Sequence, residues 1–193
     1  MKQIAIFTSG TSRGSNFKAI VDSVKKQSLP IEIAFLLVTN QESPIVNIAN
    51  ENNIKVIVYD KSYSLNDFII DTLENYRLDL IVLAGFMRKL NHDFFSIIKI
   101  PVINIHPALL PKYGGKGMFG IAVHRAVFAN KETFSGATVH FVNEDYDTGE
   151  IIMQKKCDIS ACKSADEIAG KILKLEHELY IKAISLLLFT PRD

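Results

Sequence analysis

The chain lacks the features that announce several large protein classes. It carries two cysteines in 193 residues, Cys157 and Cys162. With no second cysteine pair and no Cys-x-x-Cys, zinc-knuckle and thioredoxin readings have nothing to rest on. Two thiols kept reduced in a cytosol are the expectation, and with them a cytoplasmic location. No apolar run approaches the length that spans a bilayer, so no membrane partner is expected. The apolar stretch at residues 3–7 is cut off by Thr8, Ser9 and Gly10 before it reaches signal-peptide length. Charge is balanced, 22 Lys+Arg against 21 Asp+Glu, without the basic excess of a general nucleic-acid binder. His92, His124, His140 and His177 lack metal-ligand spacing, so no metal is expected. His140, alternating with Val139 and Phe141, reads as a core or edge residue. No repeat, low-complexity tract or linker interrupts the chain.

What is present is apolar and periodic. Hydrophobic residues make up 48% of the sequence, ample for one sizeable core and a single domain over 1–193. Residues 3–8, 31–38, 54–59, 78–84 and 102–105 are short β-branched or continuous apolar runs, as suits strands buried on both faces of a parallel sheet. Between them, residues 16–26, 44–52, 65–76 and 90–98 show helical spacing. Residues 121–129 read as a further helix. Then the pattern changes. Residues 137–142 and 151–159 alternate as strands around a turn-rich 145–149, and Ser164-x-x-Glu167 opens a long final helix to about Leu188. The expected fold class is α/β: a doubly wound, Rossmann-like, mostly parallel sheet with a C-terminal β-hairpin and a final helix.

In such a sheet, ligands bind beyond the carboxyl ends of the strands, where strand order reverses. That points to the loops at 9–16, 84–90 and 104–117. The first contains Gly10, Gly14, Ser15 and Asn16 ahead of a helix, a setting in which backbone N–H groups meet an anion. Ser12 breaks the dinucleotide glycine pattern, Asn16 stands where a P-loop needs lysine, and no acid follows strand two. A phosphate cradle fits; a glycine turn capped by Ser15 or Asn16 is the plain alternative.

The stronger constellation is Asn104-Ile105-His106-Pro107 at a strand end. Residues i and i+2 of a strand point to one side. An amide and an imidazole therefore converge there as donors to a developing oxyanion. Either Asp145 or Asp147, in the segment Asp145-Tyr-Asp-Thr-Gly149, could partner the histidine; spacing alone does not choose. The Glu176-His177 pair reads as a salt-bridging pair on the last helix.

With these motifs set side by side, the whole chain resembles the phosphoribosylglycinamide formyltransferases. The likeness is carried by Asn104-Ile-His-Pro-Ala-Leu-Leu-Pro111, Leu83-Ala-Gly-Phe-Met-Arg88, Gly136-Ala-Thr-Val-His-Phe-Val142 with Asp147-x-Gly149, and Gly14-Ser15-Asn16. The resemblance implies formyl transfer from 10-formyltetrahydrofolate to the amine of 5'-phosphoribosylglycinamide, through a tetrahedral intermediate and without metal. It implies that Asn104 and His106 stabilise that intermediate with Asp147, rather than Asp145, assisting. Gly14, Ser15 and Asn16 would hold the substrate phosphate and Glu176 its ribose. Met87, Arg88, Lys89 and Leu90, with Asn104, would line the folate. Residues 1–100 would form a phosphate-binding half and 101–193 a folate and catalytic half, in a monomer or homodimer acting on small molecules. A carboxylate beside His106 is expected to raise its pKa. Three departures stand out: two extra residues between Gly10 and Gly14-Ser15-Asn16, a longer loop from Pro111 to His124, and no arginine near Ser62, although Lys61 is close.

Overall fold

The apolar runs and helical stretches fold as an alternating series of strands and helices. The computed structural model describes residues 1–10 and 14–190. Thr11, Ser12 and Arg13, within the expected phosphate loop, lie outside the described residues. The chain divides into two units, Met1–Ile103 and Asn104–Asp193.

In the first unit, β1 (Lys2–Thr8), β2 (Ile31–Val38), β3 (Val56–Val58) and β4 (Leu80–Leu83) lie in the order β3-β2-β1-β4. β1 pairs in parallel with β2 and with β4, and β2 in parallel with β3. Next to β4 comes β5 (Val102–His106), which begins in this unit and ends in the other; Ile81 N–H donates to Pro101 O at 2.9 Å where it starts. The chain steps outward from β1 to β3 and then returns to the other side of β1. Strand order therefore reverses at β1 and β4, the place where such sheets take ligands.

Burial follows from the sequence. Ile4 to Phe7 and Leu80 to Val82 are fully enclosed, as central strands covered on both faces require. Phe7 stacks on Phe35 at 6.3 Å between ring centroids and tilts against Phe86 at 5.8 Å. The helices α1 (Ser15–Lys25), α2 (Pro44–Glu51), α3 (Leu65–Leu73) and α4 (His92–Ile97) connect the strands. Ser43, Ser64 and Asn91 cap the last three through side-chain oxygens that accept from Ile45, Asp67 and Phe94 N–H, satisfying donors that a helix start leaves unpaired.

The second unit holds the end of β5, then α5 (Ile121–Ala129), β6 (Phe134–Phe141), β7 (Ile151–Asp158) and α6 (Ala165–Phe189), with strand order β5-β6-β7. β6 and β7 form the expected antiparallel hairpin. β6 is almost wholly buried and β7 largely exposed, the burial of an inner strand beside an edge strand. The final helix packs on β6, β7 and α5. Its cap is the expected one with a shift: Ser164 Oγ accepts from Glu167 N–H at 3.2 Å, while Glu167 Oε2 reaches back to Lys163 N–H at 2.9 Å.

Two boundaries moved for physical reasons. β6 begins at Phe134, earlier than alternation suggested, because Ser135 and Gly136 pair with Cys157 and Lys156 despite their weak strand preference. Gly136 is required there: a Cβ would meet Lys155 O and the Leu109 side chain. Helix α3 stops at Leu73 rather than running on to residue 76, and Tyr76 turns its ring onto Phe35 at 4.5 Å. Cys157 and Cys162 are free and half-buried. Among the described residues, no helix is long and apolar enough to cross a membrane.

Candidate active site

Asn104 and His106, two apart on β5, sit at the start of the second unit. His106 is buried at 3% exposure. Its Nε2 lies 2.7 Å from Tyr113 O. A carbonyl only accepts, so a contact this short places a proton on Nε2. The other ring nitrogen, Nδ1, faces Asp147 Oδ2 at 3.5 Å. Asp147 adopts a left-handed backbone, φ 57°, a conformation Asp tolerates better than most residues. Its Oδ2 accepts from Gly115 N–H at 2.9 Å. Asp145 is exposed. Geometry thus pairs His106 with Asp147.

A second histidine joins the pair. His140 on β6 is 2% exposed. Its Nδ1 lies 2.8 Å from Phe141 O, which assigns that nitrogen a proton by the same reasoning. Its Nε2 stands 3.4 Å from Asn104 Nδ2 and 3.6 Å from Asp147 Oδ1. When the ring is neutral, Nε2 accepts and the Asn104 amide presents Nδ2 to it, with the second Nδ2 hydrogen left for a ligand; when the ring carries a second proton, Nε2–H donates toward Asp147 Oδ1 instead. The alternation that marked His140 as a core or edge residue placed it correctly on a buried face, but missed its contacts with Asn104 and Asp147.

Burial and charge oppose each other here. Burial depresses the His106 pKa, and His140 adds to that; Asp147 and the Tyr113 carbonyl pull it up without overcoming burial. The expected rise from Asp147 is therefore present as a contribution and outweighed in sum. For Asp147, burial pushes the carboxyl up, but His140, His106 and the Gly115 N–H together hold it below the ordinary value. The outcome is an ionised carboxylate beside an imidazole inclined to neutrality. His124 on α5, 5% exposed, is pushed down to about 4 by burial and by His106.

The segment that leaves β5 is held by β6 and β7. Thr138 Oγ1 donates to Ala108 O at 2.7 Å and accepts from Leu110 N–H at 3.1 Å. Gln154 Nε2 donates to both Leu110 O and Thr138 Oγ1. A cleft of about 380 Å³ opens beside Asp147, lined also by Leu110, Gly114, Gly115, Gly149 and Ile151. Among the described residues, no cluster of His, Cys, Asp or Glu is placed to hold a metal ion.

The remaining predicted residues fall as follows. In the first unit, Gly14 precedes α1 with φ 71°. A Cβ there would collide with the Ile45 side chain, so both conformation and space require glycine. Ser15 and Asn16 form the first turn of α1, which contains no acidic residue; an anion placed at such a turn would meet the helix dipole without a competing carboxylate. Ser9 joins two loops of this unit: its N–H donates to Gly85 O at 3.1 Å and its Oγ accepts from Met87 N–H at 2.6 Å. Met87, Arg88 and Lys89 are exposed, whereas the Leu90 side chain is 2% exposed and belongs to the core. Any ligand contact by Leu90 runs through its backbone. In the second unit Glu176 lies on the inward side of α6, 7% exposed.

Against known proteins, a family model described as formyl transferase matches residues 2–184. A phosphoribosylglycinamide formyltransferase of Bacillus subtilis is 35% identical, over 97% of this chain and 95% of its own. The chloroplastic phosphoribosylglycinamide formyltransferase of Vigna unguiculata is 38% identical over 96% of this chain. The chain spans about three-fifths of that plant relative's length, 61%. Among solved structures, glycinamide ribonucleotide transformylase 1 of Geobacillus kaustophilus superposes with a TM-score of 0.87 at 32% identity, covering 97% of this chain and 99% of its own.

Proposed function

The chain belongs to the formyl transferase family, and we propose that it transfers the formyl group of 10-formyltetrahydrofolate to the amine of 5'-phosphoribosylglycinamide. The observation that carries this reading is the second unit's cluster of buried His106 and His140 with half-buried Asn104 and Asp147, together with the Bacillus subtilis relative of nearly equal length. In transfer, the amine nitrogen bonds to the formyl carbon, the carbon–nitrogen bond to folate breaks, and one proton leaves the amine while another reaches the folate nitrogen. Negative charge gathers on the formyl oxygen in between. Asn104 Nδ2–H is the donor aimed at that oxygen, held in orientation by His140 before substrate arrives. Preorganised donors of this kind act without reorganisation.

His106 acts differently from a simple second donor. Its Nε2–H is engaged by Tyr113 O, so direct donation to the oxyanion requires exchange of that bond. Its unprotonated Nδ1 and the Asp147 carboxylate together form a proton-accepting site, and Asp147 is the member kept ionised. Asp147, through an ordered water, takes the amine proton and passes it toward the folate nitrogen. Gly14, Ser15 and Asn16 take the phosphate and Glu176 the ribose. Met87, Arg88, Lys89 and the Leu90 backbone line the folate, with Lys61 standing in for the absent arginine near Ser62. A cytoplasmic setting, consistent with the two free thiols, is part of the same proposal.

The test is folate product release from 10-formyltetrahydrofolate, followed spectrophotometrically with and without 5'-phosphoribosylglycinamide. Release that depends on the ribonucleotide is expected. Release without it would make water the acceptor and the chain a hydrolase. No release in either case would overturn the reading.

A further inference from the structure

The catalytic proposal leaves unexplained why His106 Nε2 is tied to a backbone carbonyl in a glycine-rich loop. Tyr113, which supplies that carbonyl, has φ 59°, a left-handed conformation unfavourable for a bulky residue. Something must hold it. The other end of the residue shows what does: Tyr113 Oη donates to Glu132 Oε1 at 2.8 Å. The same carboxylate oxygen accepts from Lys112 Nζ at 2.8 Å, so Glu132 binds two successive loop residues. Glu132 lies just beyond α5, half-buried and outside the sequence motifs that point to the site. On the inner side, Gly115 N–H donates to Asp147 Oδ2. The segment 113–115 therefore presents an acceptor to His106 and a donor to Asp147, and its outer anchor is Glu132.

We propose that Glu132 is a positioning residue for this centre: by holding the Tyr113 hydroxyl, it fixes the Tyr113 carbonyl against His106 Nε2 and so dictates which ring nitrogen carries the proton. The consequence is chemical. With the proton on Nε2, Nδ1 stays bare and turned toward Asp147. Without the anchor, Tyr113 relaxes toward an ordinary backbone conformation and its carbonyl withdraws. The ring then protonates on either nitrogen, and a neutral ring with its proton on Nδ1 donates to Asp147 and loses the accepting site. Asp147, His140 and His124 are the titratable groups that act on His106 electrostatically, directly or in return, and none of them replaces a lost Nε2 acceptor. The inference rests on the proposed function for its effect on turnover, but not for its effect on the ring.

The experiment uses the full chain labelled with ¹⁵N-histidine and long-range ¹H–¹⁵N spectra above the His106 pKa. The wild type is expected to show the Nε2–H tautomer at His106. Glu132→Ala and Tyr113→Phe, which keeps the ring and the backbone carbonyl, are expected to bring the two nitrogen shifts toward each other. Glu132→Gln retains an oxygen that accepts from the Tyr113 hydroxyl and is expected to restore the wild-type pattern. Turnover in the first two should fall roughly three- to tenfold, as loss of one hydrogen bond implies, with the KM of the acceptor amine unchanged. Wild-type nitrogen shifts at His106 in both Glu132→Ala and Tyr113→Phe would overturn the proposal. So would a Glu132→Gln spectrum like that of Glu132→Ala. If the wild type transfers no formyl group at all, the proposed function falls, while the spectra still decide the role of Glu132.

Discussion

At the scale of single residues, the site separates donors from the groups that aim them. In the proposed reaction Asn104 carries the hydrogen that faces substrate, and His140 Nε2, 3.4 Å from Asn104 Nδ2, sets how the amide is turned. Asn104→Ala removes the donor and is expected to cut turnover on the order of a hundredfold or more, with the fold intact. His140→Phe keeps the bulk and loses the Nε2 acceptor, so the amide is free to turn; a smaller drop in kcat than for Asn104→Ala is expected. Steady-state kinetics on the two purified variants checks this order, and a His140→Phe enzyme with wild-type kcat would remove His140 from the centre. Asp147→Asn tests the electrostatics. The carboxylate is what opposes burial at His106, so its removal disfavours the imidazolium and lowers the His106 pKa further. The acid limb of the kcat/KM profile should move to lower pH and the maximum rate should fall. An acid limb that stays in place in Asp147→Asn would show that the limb does not report His106.

At the scale of elements, much of the architecture is legible in the sequence because strands and helices announce themselves by period and by cap. The buried parallel strands read as continuous apolar runs, and Ser164 with Glu167 marked the last helix by its capping pattern. Asn104 and His106 are legible because two polar residues close an apolar strand at its carboxyl end, where sheets of this kind take ligands. His140, Thr138 and Gln154 were not, because alternation shows which face a residue occupies and not what waits there. Tyr113 was less legible still, since its contribution to His106 is a backbone carbonyl, which no side-chain pattern records. The start of α1 gives an element-scale prediction. Gly14→Ala forces a side chain into a left-handed residue and against Ile45. Stability should fall by more than about 1 kcal/mol, and the KM of a phosphorylated acceptor should rise with little change in kcat for the residual folded enzyme. Chemical denaturation and saturation kinetics read the two effects separately, and a fully stable Gly14→Ala protein with normal KM would contradict both.

At the scale of the whole molecule, the buried histidines link folding to pH. His124 is the clearest case, because its folded pKa of about 4 lies well below the value of about 6.5 it has when unfolded. Above that unfolded value the ring is neutral in both states and contributes no pH dependence. As pH falls from about 6.5 toward 4, the unfolded chain takes up a proton that the folded chain refuses, so stability drops. Below about 4 both states are protonated and the loss levels off. Burial depresses His106 and His177 in the same direction, so they steepen the same limb. Asp147, held below its ordinary value, contributes stability that is full above the ordinary carboxylate range and is lost as pH falls from there through the lower folded value. The His124 share is on the order of 2 kcal/mol after allowance for solvent near the ring. His124→Leu places an apolar group beside Val123 and Val127, which are themselves buried, and removes the proton uptake. The variant is expected to match or fall slightly below the wild type at pH 7.5 and to lose less stability by pH 4.5. Urea melts at the two pH values compare the slopes directly. Parallel losses in the two proteins would mean that His124 takes up its proton as readily in the folded state as in the unfolded chain.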